Sequence, residues 1–338
     1  MIIAENKSLQ NLNTFGINVS SKYFASVSNT EEIKELLSLE KFKREKKLIL
    51  GGGSNILFTK DFDGLVISND IMGISVVEET DEEVIISAKS GEEWDNLVNY
   101  TVNKNLGGIE NLKLIPGKVG ASPIQNIGAY GVELKDSFYQ LVTVNLNTLE
   151  ELTFNKIDCN FGYRSSVFKH EFKDEFIITE VKLKLRKNPS LNIEYESLKK
   201  EIENRKFSSL SVKNVAEVVK FVRESKLPDP KITGNAGSFF KNPTISESTL
   251  NEIKKLEIHV PSYFISENEY KIPAGWLIEK SGLKGIKFGN AGTYQKQALV
   301  LVNLGNANGK EIKDLAEYIM KIVNEKFGIQ LTPEVNII

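Results

Sequence analysis

The opening of the chain combines strand-like and helix-like patterns of hydrophobic residues. The run KYFASV predicts a strand, and the run NTEEIKELLSL after it predicts a helix that Asn29 or Thr30 can cap. Glu31 and Glu32 suit the positive end of that helix dipole. A second predicted strand, KKLIL, leads directly into the glycine loop GGGSN. The order strand, helix, strand, glycine loop predicts an α/β-like beginning.

From Gly64 the pattern changes to short strands separated by turn residues. Strands are predicted in GLVIS, GISVVEE, EEVIISAKSG, FYQLVTVNL and EELTFN, and the alternation in EFIITEVKLKL predicts another. The run EEWDNLVNYTVNKN predicts a helix with Trp94, Leu97 and Val98 on one side. We therefore expect an α+β region, rich in strands, from about residue 64 to residue 187.

Helical patterns dominate the remainder of the chain. Two amphipathic helices are predicted in YESLKKEIENRK and SVKNVAEVVKFVRESK, and the prolines of LPDPK end the second. A last helix, NGKEIKDLAEYIMKIVNEKFG, ends at Gly328, and the tail QLTPEVNII predicts a final strand. We predict three parts, which are residues 1–63 joined by the tail 329–338, residues 64–228, and residues 229–328.

Composition narrows the class of protein. A chain of 338 residues is long enough for two or three domains, and its net charge of −2 disfavours a nucleic-acid partner. The single cysteine, Cys159, excludes a disulfide within the chain, and with only two histidines we expect no metal site. Because no secretory signal and no bilayer-length apolar run is present, we expect a cytoplasmic protein without a membrane partner.

Two glycine-rich segments are candidate ligand loops. In LILGGGSNIL, the glycines let backbone N–H groups approach an anion while Ser54 and Asn55 add donors, although a tight turn is an equal alternative. Ile56 stands where the dinucleotide fingerprint needs its third glycine, which disfavours a Rossmann fold. The longer segment IPGKVGASPIQNIGAYG has apolar anchors and many backbone donors, which favour a cofactor with a pyrophosphate and a ring system.

Three further segments carry candidate chemical groups. NFGYRSSVFK places Tyr163 and Arg164 before a predicted strand, where Arg164 could bind a carboxylate or phosphate or form a surface ion pair. GNAGSFFKNP contains Ser238 without a Ser-His-Asp pattern or a G-x-S-x-G elbow, which disfavours a hydrolase. Such a serine can instead give its proton to a carbanion or enolate. Glu334, in LTPEVNII, is either directed to a specific partner or solvated.

Together with NTFGI, YRSSVFK, SKLPDPK, AGWLIEKSGLKG, QALVLVN and PEV, these segments follow the order of one family. Nearly end to end, the chain resembles UDP-N-acetylenolpyruvoylglucosamine reductases. The resemblance implies an α+β fold, with an FAD-binding domain of the vanillyl-alcohol-oxidase (PCMH) type and a separate α+β substrate-binding domain. Residues 1–63 with 329–338 and residues 64–228 would be the two FAD-binding subdomains, and residues 229–328 would bind substrate. We expect a monomer.

The resemblance also implies a reaction. NADPH would be the co-substrate, and hydride would pass through FAD to the enolpyruvyl ether of UDP-N-acetylglucosamine, giving UDP-N-acetylmuramate for peptidoglycan synthesis. Ser238 would protonate the carbanionic carbon, and Arg164 would hold the carboxylate and stabilise the enolate charge. Glu334 would face the same carboxylate and, because like charges repel, would be protonated or share a proton.

Binding residues follow from the same resemblance. The expected flavin-contacting residues are Gly51, Gly52, Gly53, Ser54, Asn55, Ser122, Asn126, Gly128, Ala129 and Arg223. The expected substrate-binding residues are Tyr130, Tyr163, Tyr195, Lys226, Asn242 and Gln297, with Lys226 facing the diphosphate. Tyr195 and Ser238 fit the family type that has a tyrosine-bearing insertion and a serine acid. Lys118 departs from the pattern, because a small residue or cysteine is expected there.

Two alternatives remain open at the level of sequence. One is a different oxidoreductase on the same flavin fold, such as an oxidase of a small alcohol, whose reaction would not require the segment GNAGSFFKNP. A sugar-nucleotide-binding module without catalysis would need no flavin.

Overall fold

The computed structural model describes residues 1–257 and 259–338. The described residues form two compact units, and each contains segments that are distant in the sequence. Unit 1 comprises Met1–Lys7, Ser21–Gly52 and Phe62–Ser225, and unit 2 comprises Ser8–Ser20, Gly53–Asp61 and Lys226–Ile338. The three-part division at residues 63 and 228 stays a prediction.

Helices and strands are interspersed along the described chain. The helices are α1 (Thr30–Ser38), α2 (Glu40–Lys43), α3 (Trp94–Asn103), α4 (Leu134–Ser137), α5 (Glu196–Arg205), α6 (Val212–Lys226), α7 (Glu247–Leu256), α8 (Ala274–Lys280) and α9 (Gly309–Phe327). The strands are β1 (Ile2–Ser8), β2 (Ser20–Val27), β3 (Lys47–Leu50), β4 (Ile56–Leu57), β5 (Phe62–Asn69), β6 (Ile74–Glu79), β7 (Glu83–Lys89), β8 (Gly128–Ala129), β9 (Val132–Glu133), β10 (Phe138–Asn145), β11 (Glu151–Asn155), β12 (Phe176–Arg186), β13 (Asn235–Ser238), β14 (Thr244–Ser246), β15 (Tyr263–Ser266), β16 (Glu269–Lys271), β17 (Lys287–Phe288), β18 (Ala291–Thr293), β19 (Val300–Asn303) and β20 (Asn336–Ile337).

Most elements predicted from hydrophobic patterns are confirmed. α1 begins after Asn29, whose side-chain oxygen accepts a 2.8 Å hydrogen bond from the backbone N–H of Glu32. α9 ends at Gly328, which adopts a left-handed φ of 67°. After Arg164 the chain forms a 3-10 turn at Val167–Lys169, and the strand predicted in EFIITEVKLKL follows as β12 from Phe176. The mixture of helices and strands confirms the α+β class.

Unit 1 contains three sheets in the described residues, the smallest of which is the antiparallel pair of β8 and β9. The first has the order β1-β2-β5-β3, in which β5 pairs in parallel with both β2 and β3. The second has the order β11-β10-β12-β7-β6, in which all neighbours are antiparallel. Trp94 of α3 is buried against the second sheet's core cluster, and its indole N–H donates to the carbonyl of Leu112. This packing fixes α3 beside the long glycine-rich segment that follows it.

Unit 2 is built around a small antiparallel sheet with the order β13-β19-β18-β17. Phe239 and Phe240, which follow β13 directly, are buried side by side with ring centroids 5.1 Å apart. β14, β16 and β15 form a separate hairpin sheet, and the final strand β20 pairs in parallel with β4. The core therefore fixes the two ends of β13, where Ser238 is the last residue.

Two isolated features bear on thiol reactivity and on membrane crossing. Cys159 is fully buried, and burial raises the pKa of its thiol to about 12, which keeps the thiol protonated at neutral pH. Along residues 1–257 and 259–338, no helix combines the length and apolar character that crossing a bilayer requires.

Candidate functional site

The two glycine-rich loops meet in unit 1. A Cβ built on Gly52 would lie only 2.9 Å from the backbone Cα of Gly117. Any side chain at position 52 would therefore push the two loops apart. At Gly51 the equivalent Cβ would have ordinary contacts, 3.5 Å from Ala121 and 3.7 Å from Lys118. Gly53 belongs to unit 2, where its φ of 62° and the nearby carbonyl of Leu12 leave no room for a side chain.

Internal hydrogen bonds hold the second loop in shape. Ser122 is buried and its hydroxyl donates to the carbonyl of Val119 at 2.7 Å. Asn126 is also buried, and its side-chain amide donates to Glu133 and to the carbonyl of Gly162, each at 3.0 Å. The Asn126 side-chain oxygen accepts from the N–H of Lys135. The side chains of both predicted flavin residues thus bond within the protein and shape the surrounding backbone.

Arg164 is presented by a tight turn of unit 1. Gly162 and Ser165 pair through reciprocal backbone hydrogen bonds, and Arg164 between them adopts a left-handed φ of 52°. The guanidinium donates to the carbonyl of Gly128 at 2.6 Å and lies 5.4 Å from the ring centroid of Tyr163. The turn therefore brings a predicted catalytic arginine onto the backbone of the second glycine loop.

A second arginine and two tyrosines lie in the same part of unit 1. The rings of Tyr130 and Tyr195 pack edge to face with centroids 5.1 Å apart. Burial raises the pKa of Tyr130, and the nearby positive charge of Arg223 opposes that change. Burial lowers the pKa of Arg223, and the charge of Arg164 lowers it further, whereas Tyr130 and Asp95 act in the opposite direction. Unit 1 thus concentrates two guanidinium groups beside aromatic rings, an arrangement suited to an anionic ligand.

Ser238 and Glu334 lie on adjacent segments of unit 2. Ser238 pairs with Val300 of β19 and is exposed, while the next residue, Phe239, is fully buried. The N–H of Glu334 donates to the carbonyl of Phe239 at 2.8 Å, which places Glu334 one backbone step from Ser238. The side-chain amide of Asn55 donates to the carbonyl of Glu334 at 3.4 Å. Two predicted catalytic residues and one predicted flavin residue are thus brought together.

The remaining predicted substrate residues are placed differently. Asn242 accepts a 2.9 Å hydrogen bond from the N–H of Ala274 at the start of α8. Gln297 is beside the same helix, because its side-chain oxygen would lie 2.8 Å from a Cβ on Gly275. Lys226 is exposed at the end of α6. Arg164 belongs to unit 1, whereas Ser238 and Glu334 belong to unit 2.

Sequence reasoning missed two supporting residues in unit 1. Asn111 is fully buried, and its side-chain amide donates to the carbonyls of Tyr130 and Asn192, which fixes the end of the second glycine loop. Asp95 accepts from the side chain of Lys113 and the N–H of Leu114, and its charge also acts on Arg223. Nothing in the run IENLKL distinguishes Asn111 from a surface residue, because its role depends on distant carbonyl groups.

Comparison with known proteins agrees with this geometry. Residues 229–338 match the model of the UDP-N-acetylenolpyruvoylglucosamine reductase C-terminal domain, and residues 21–147 match an FAD binding domain. The chain is 49% identical to a UDP-N-acetylenolpyruvoylglucosamine reductase of Flavobacterium johnsoniae, with 100% of both chains covered. It is 40% identical to the Pseudomonas aeruginosa reductase, covering 99% of this chain and 98% of that one.

The chain belongs to the UDP-N-acetylenolpyruvoylglucosamine reductase family. The crystal structure of the Thermus caldophilus member matches 99% of this chain and 98% of that chain with a TM-score of 0.67. At 21% identity this match shows that the fold is shared. The match to the FAD binding domain also agrees with the PCMH-type fold expected for this family.

The residues of unit 1 fit a flavin dinucleotide. The approach of Gly52 to Gly117 leaves two backbone segments free of side chains, as a pyrophosphate requires. The Nε of Arg223 is buried and has no hydrogen-bond partner in the described part of the chain. Because an orphaned buried donor is costly, a polar ligand atom is its natural partner. Gly51, Gly52, the 117–129 loop and Arg223 would therefore hold the cofactor in unit 1.

Proposed function

We propose that this chain catalyses the NADPH-dependent reduction of UDP-N-acetylglucosamine enolpyruvate to UDP-N-acetylmuramate, with FAD as the redox cofactor. Family membership over the full length supports this reaction class. We also propose NADPH as the co-substrate and a monomer acting in the cytoplasm. The observation that carries the catalytic proposal is the backbone pairing that places exposed Ser238 beside Glu334.

Ser238 is the proton donor in this proposal. Ser238 is the last residue of β13, and the buried Phe239 and Phe240 that follow it fix the position of its backbone. When bound, the flavin supplies the hydride that reduces the enolpyruvyl double bond. The carbon next to the carboxylate then carries negative charge, and a serine hydroxyl held at that position can protonate it.

Arg164 provides the charge that makes this proton transfer favourable. A guanidinium can hold a carboxylate with two parallel hydrogen bonds, and it stabilises negative charge that spreads into that carboxylate. The 2.6 Å bond from Arg164 to the carbonyl of Gly128 fixes the side chain before substrate arrives, so little reorganisation is needed. Glu334 is proposed to act on the same carboxylate by sharing a proton.

The remaining binding calls belong to the same proposal. Tyr130, Tyr163, Tyr195, Lys226, Asn242 and Gln297 bind the sugar nucleotide. The edge-to-face contact of Tyr130 and Tyr195 supports an aromatic surface for the nucleotide, and Lys226 supplies a positive charge for the diphosphate. Gly51, Gly52, Gly53, Ser54, Asn55, Ser122, Asn126, Gly128, Ala129 and Arg223 serve the flavin.

Separating the two half-reactions of the Ser238→Ala variant tests this assignment. Reduction of bound flavin by NADPH should proceed at nearly the wild-type rate, because that half needs no acid at position 238. Reoxidation by the enolpyruvyl substrate should slow by about a hundredfold or more. Stopped-flow absorbance follows both halves.

Ser266→Ala is the matched control, because Ser266 is exposed on β15 and its hydroxyl donates to Glu269 of the same hairpin. Equal slowing of both halves in Ser238→Ala would reject the acid role. A purified protein that is colourless, and that retains no flavin after incubation with FAD and removal of the free cofactor, would reject the proposed function altogether.

A further inference from the structure

Lys118, the residue that departs from the family pattern, lies between the two glycine loops of unit 1. Its Cβ would be 3.7 Å from a Cβ placed on Gly51, and it directly follows Gly117, which approaches Gly52. The side chain is mostly buried and runs away from the loops to the end of β5. There the ammonium donates to the carbonyl of Asn69 at 2.9 Å and pairs with the carboxylate of Asp70.

Both carboxylate oxygens of Asp70 accept hydrogen bonds. One carboxylate oxygen binds Lys118, while the other accepts hydrogen bonds from Ser26 at 2.7 Å and from Ser68 at 3.0 Å. Burial acts to raise the pKa of Asp70, but the bonds from Lys118 and the two serines outweigh burial and hold that pKa below its usual value. The carboxylate is therefore a fixed negative partner for the lysine.

A second set of hydrogen bonds connects the same strand end to the loop. The side-chain oxygen of Asn69 accepts from the hydroxyl of Ser90 at 2.9 Å, and the carbonyl of Ser90 accepts from the N–H of Gly120, also at 2.9 Å. A Cβ on Gly120 would lie 2.6 Å from the Cβ of Ser90, so the two backbones are in close contact. Lys118 and Gly120 are thus both attached to the Asn69–Asp70 corner, with Val119 between them.

We propose that Lys118 and Asp70 are positioning residues that hold the 117–122 loop in its flavin-binding shape. The lysine acts through the loop backbone and is not a ligand of the cofactor phosphates, because its ammonium already has two oxygen partners at the end of β5. This inference rests on the proposed function only in that the loop binds FAD. A loop that is already ordered in the apoprotein loses less conformational entropy when FAD binds, which strengthens binding.

The test compares the FAD affinity of apoprotein variants by quenching of flavin fluorescence. Lys118→Met and Asp70→Asn should each raise the FAD dissociation constant by about tenfold. The double variant should be little worse than either one, because both changes remove the same contact. Lys118→Arg, which keeps a cation within reach of Asp70, should recover most of the affinity. Hydrogen exchange in the apoprotein should rise at residues 117–122 in the two weakened variants.

Three further variants protect this test against a trivial loss of folding. Ser26→Ala removes one hydrogen bond from Asp70 and leaves the ion pair, so it should raise the dissociation constant by only about threefold. The pair Lys34→Met and Glu151→Gln breaks a comparable 2.6 Å ion pair between α1 and β11, neither of which contains a predicted flavin residue. Those control variants should bind FAD as the wild type does.

The sign of the Asp70→Asn effect separates the proposal from its main competitor. If Lys118 were a phosphate ligand, releasing it from Asp70 would leave FAD affinity unchanged or increase it, while Lys118→Met would still weaken it; that pattern overturns the positioning role. Wild-type affinity in both single variants also overturns it while leaving the proposed function intact. Failure of the wild-type protein to bind FAD contradicts the proposed function itself.

Discussion

Gly51 and Gly52 are adjacent and identical, but the structure gives them different tasks. Position 52 is closed to any side chain by the backbone of Gly117, whereas position 51 has space for a methyl group against Ala121 and Lys118. The sequence alone could say only that three consecutive glycines allow close approach. Which of the two glycines can accept a side chain depends on the second loop, about 65 residues away in the chain.

This difference predicts opposite behaviour for two alanine variants. Gly52→Ala should destabilise the apoprotein by about 1–3 kcal/mol, because the added methyl overlaps backbone that cannot move aside. Gly51→Ala should leave the unfolding temperature of the apoprotein nearly unchanged and yet weaken FAD binding, if the backbone of Gly51 contacts the cofactor as proposed. Calorimetry of the apoproteins and flavin titration measure the two effects. Equal stability of both apoproteins would contradict the assignment.

Other single residues show where sequence reasoning stops. Arg164 and Ser238 were identified by their motifs, but the partner that fixes Arg164, the carbonyl of Gly128, is a backbone atom that no sequence pattern marks. Lys118 stands out in the sequence only as a departure from the family pattern, and nothing in the sequence marks Asp70 as its partner. Ion pairs between distant segments depend on the folded path of the chain, so their sequence signal is weak.

Regular elements were far easier to predict than the turns between them. The helix that became α1 and the alternating strand that became β12 each carry their own period and end signals, so local sequence suffices. The turn at Gly162–Ser165 and the 3-10 turn at Val167–Lys169 contain β-favouring residues without a strand partner. Their residue types alone do not predict these turns, because β structure depends on pairing as much as on residue type.

The segment at the start of α5 is proposed to close over the nucleotide. Tyr195 immediately precedes the helix and is 46% exposed, while its ring packs on the more buried Tyr130. If the segment closes over the nucleotide, Tyr195→Ala should raise the KM for the sugar nucleotide by about tenfold and change kcat little. Tyr195→Phe keeps the ring contact and should retain a nearly normal KM. Steady-state kinetics of both variants decide the matter, and an unchanged KM in Tyr195→Ala would reject this role.

At the scale of the whole molecule, the prediction from sequence contained one discontinuous part, in which the tail 329–338 joins residues 1–63. The structure assigns residues 8–20 and 53–61 to unit 2, together with Lys226–Ile338, although their neighbours in sequence belong to unit 1. The parallel pairing of β20 with β4 is one such long-range contact. Hydrophobic periodicity predicts whether a segment is a helix or a strand. It does not predict which distant segments pack into the same unit.

Buried carboxylates should make the stability of unit 1 depend on pH. Burial acts to raise the pKa of Glu180, but its bonds with Lys89 and Ser87 outweigh burial and hold that pKa below the usual 4.5. As the pH falls below 4.5, the unfolded chain binds this proton before the folded chain does, so stability present at higher pH is lost. Glu180→Gln should be less stable than wild type at neutral pH. Its free energy of unfolding should also fall less steeply as the pH is lowered, and the difference in slope should correspond to less than one bound proton.

The two tryptophans allow unit 1 to be followed by itself. Trp94 is fully buried there, and in a Trp276→Phe background its fluorescence is the sole tryptophan signal during urea unfolding. Midpoints measured from neutral pH to about pH 3 give the slope for each variant. Glu171→Gln, at an exposed position, is the matched control and should keep the wild-type slope. Equal slopes for Glu180→Gln and wild type would mean that Glu180 binds its proton at the same pH in both states, and its contacts with Lys89 and Ser87 would then contribute nothing to acid sensitivity.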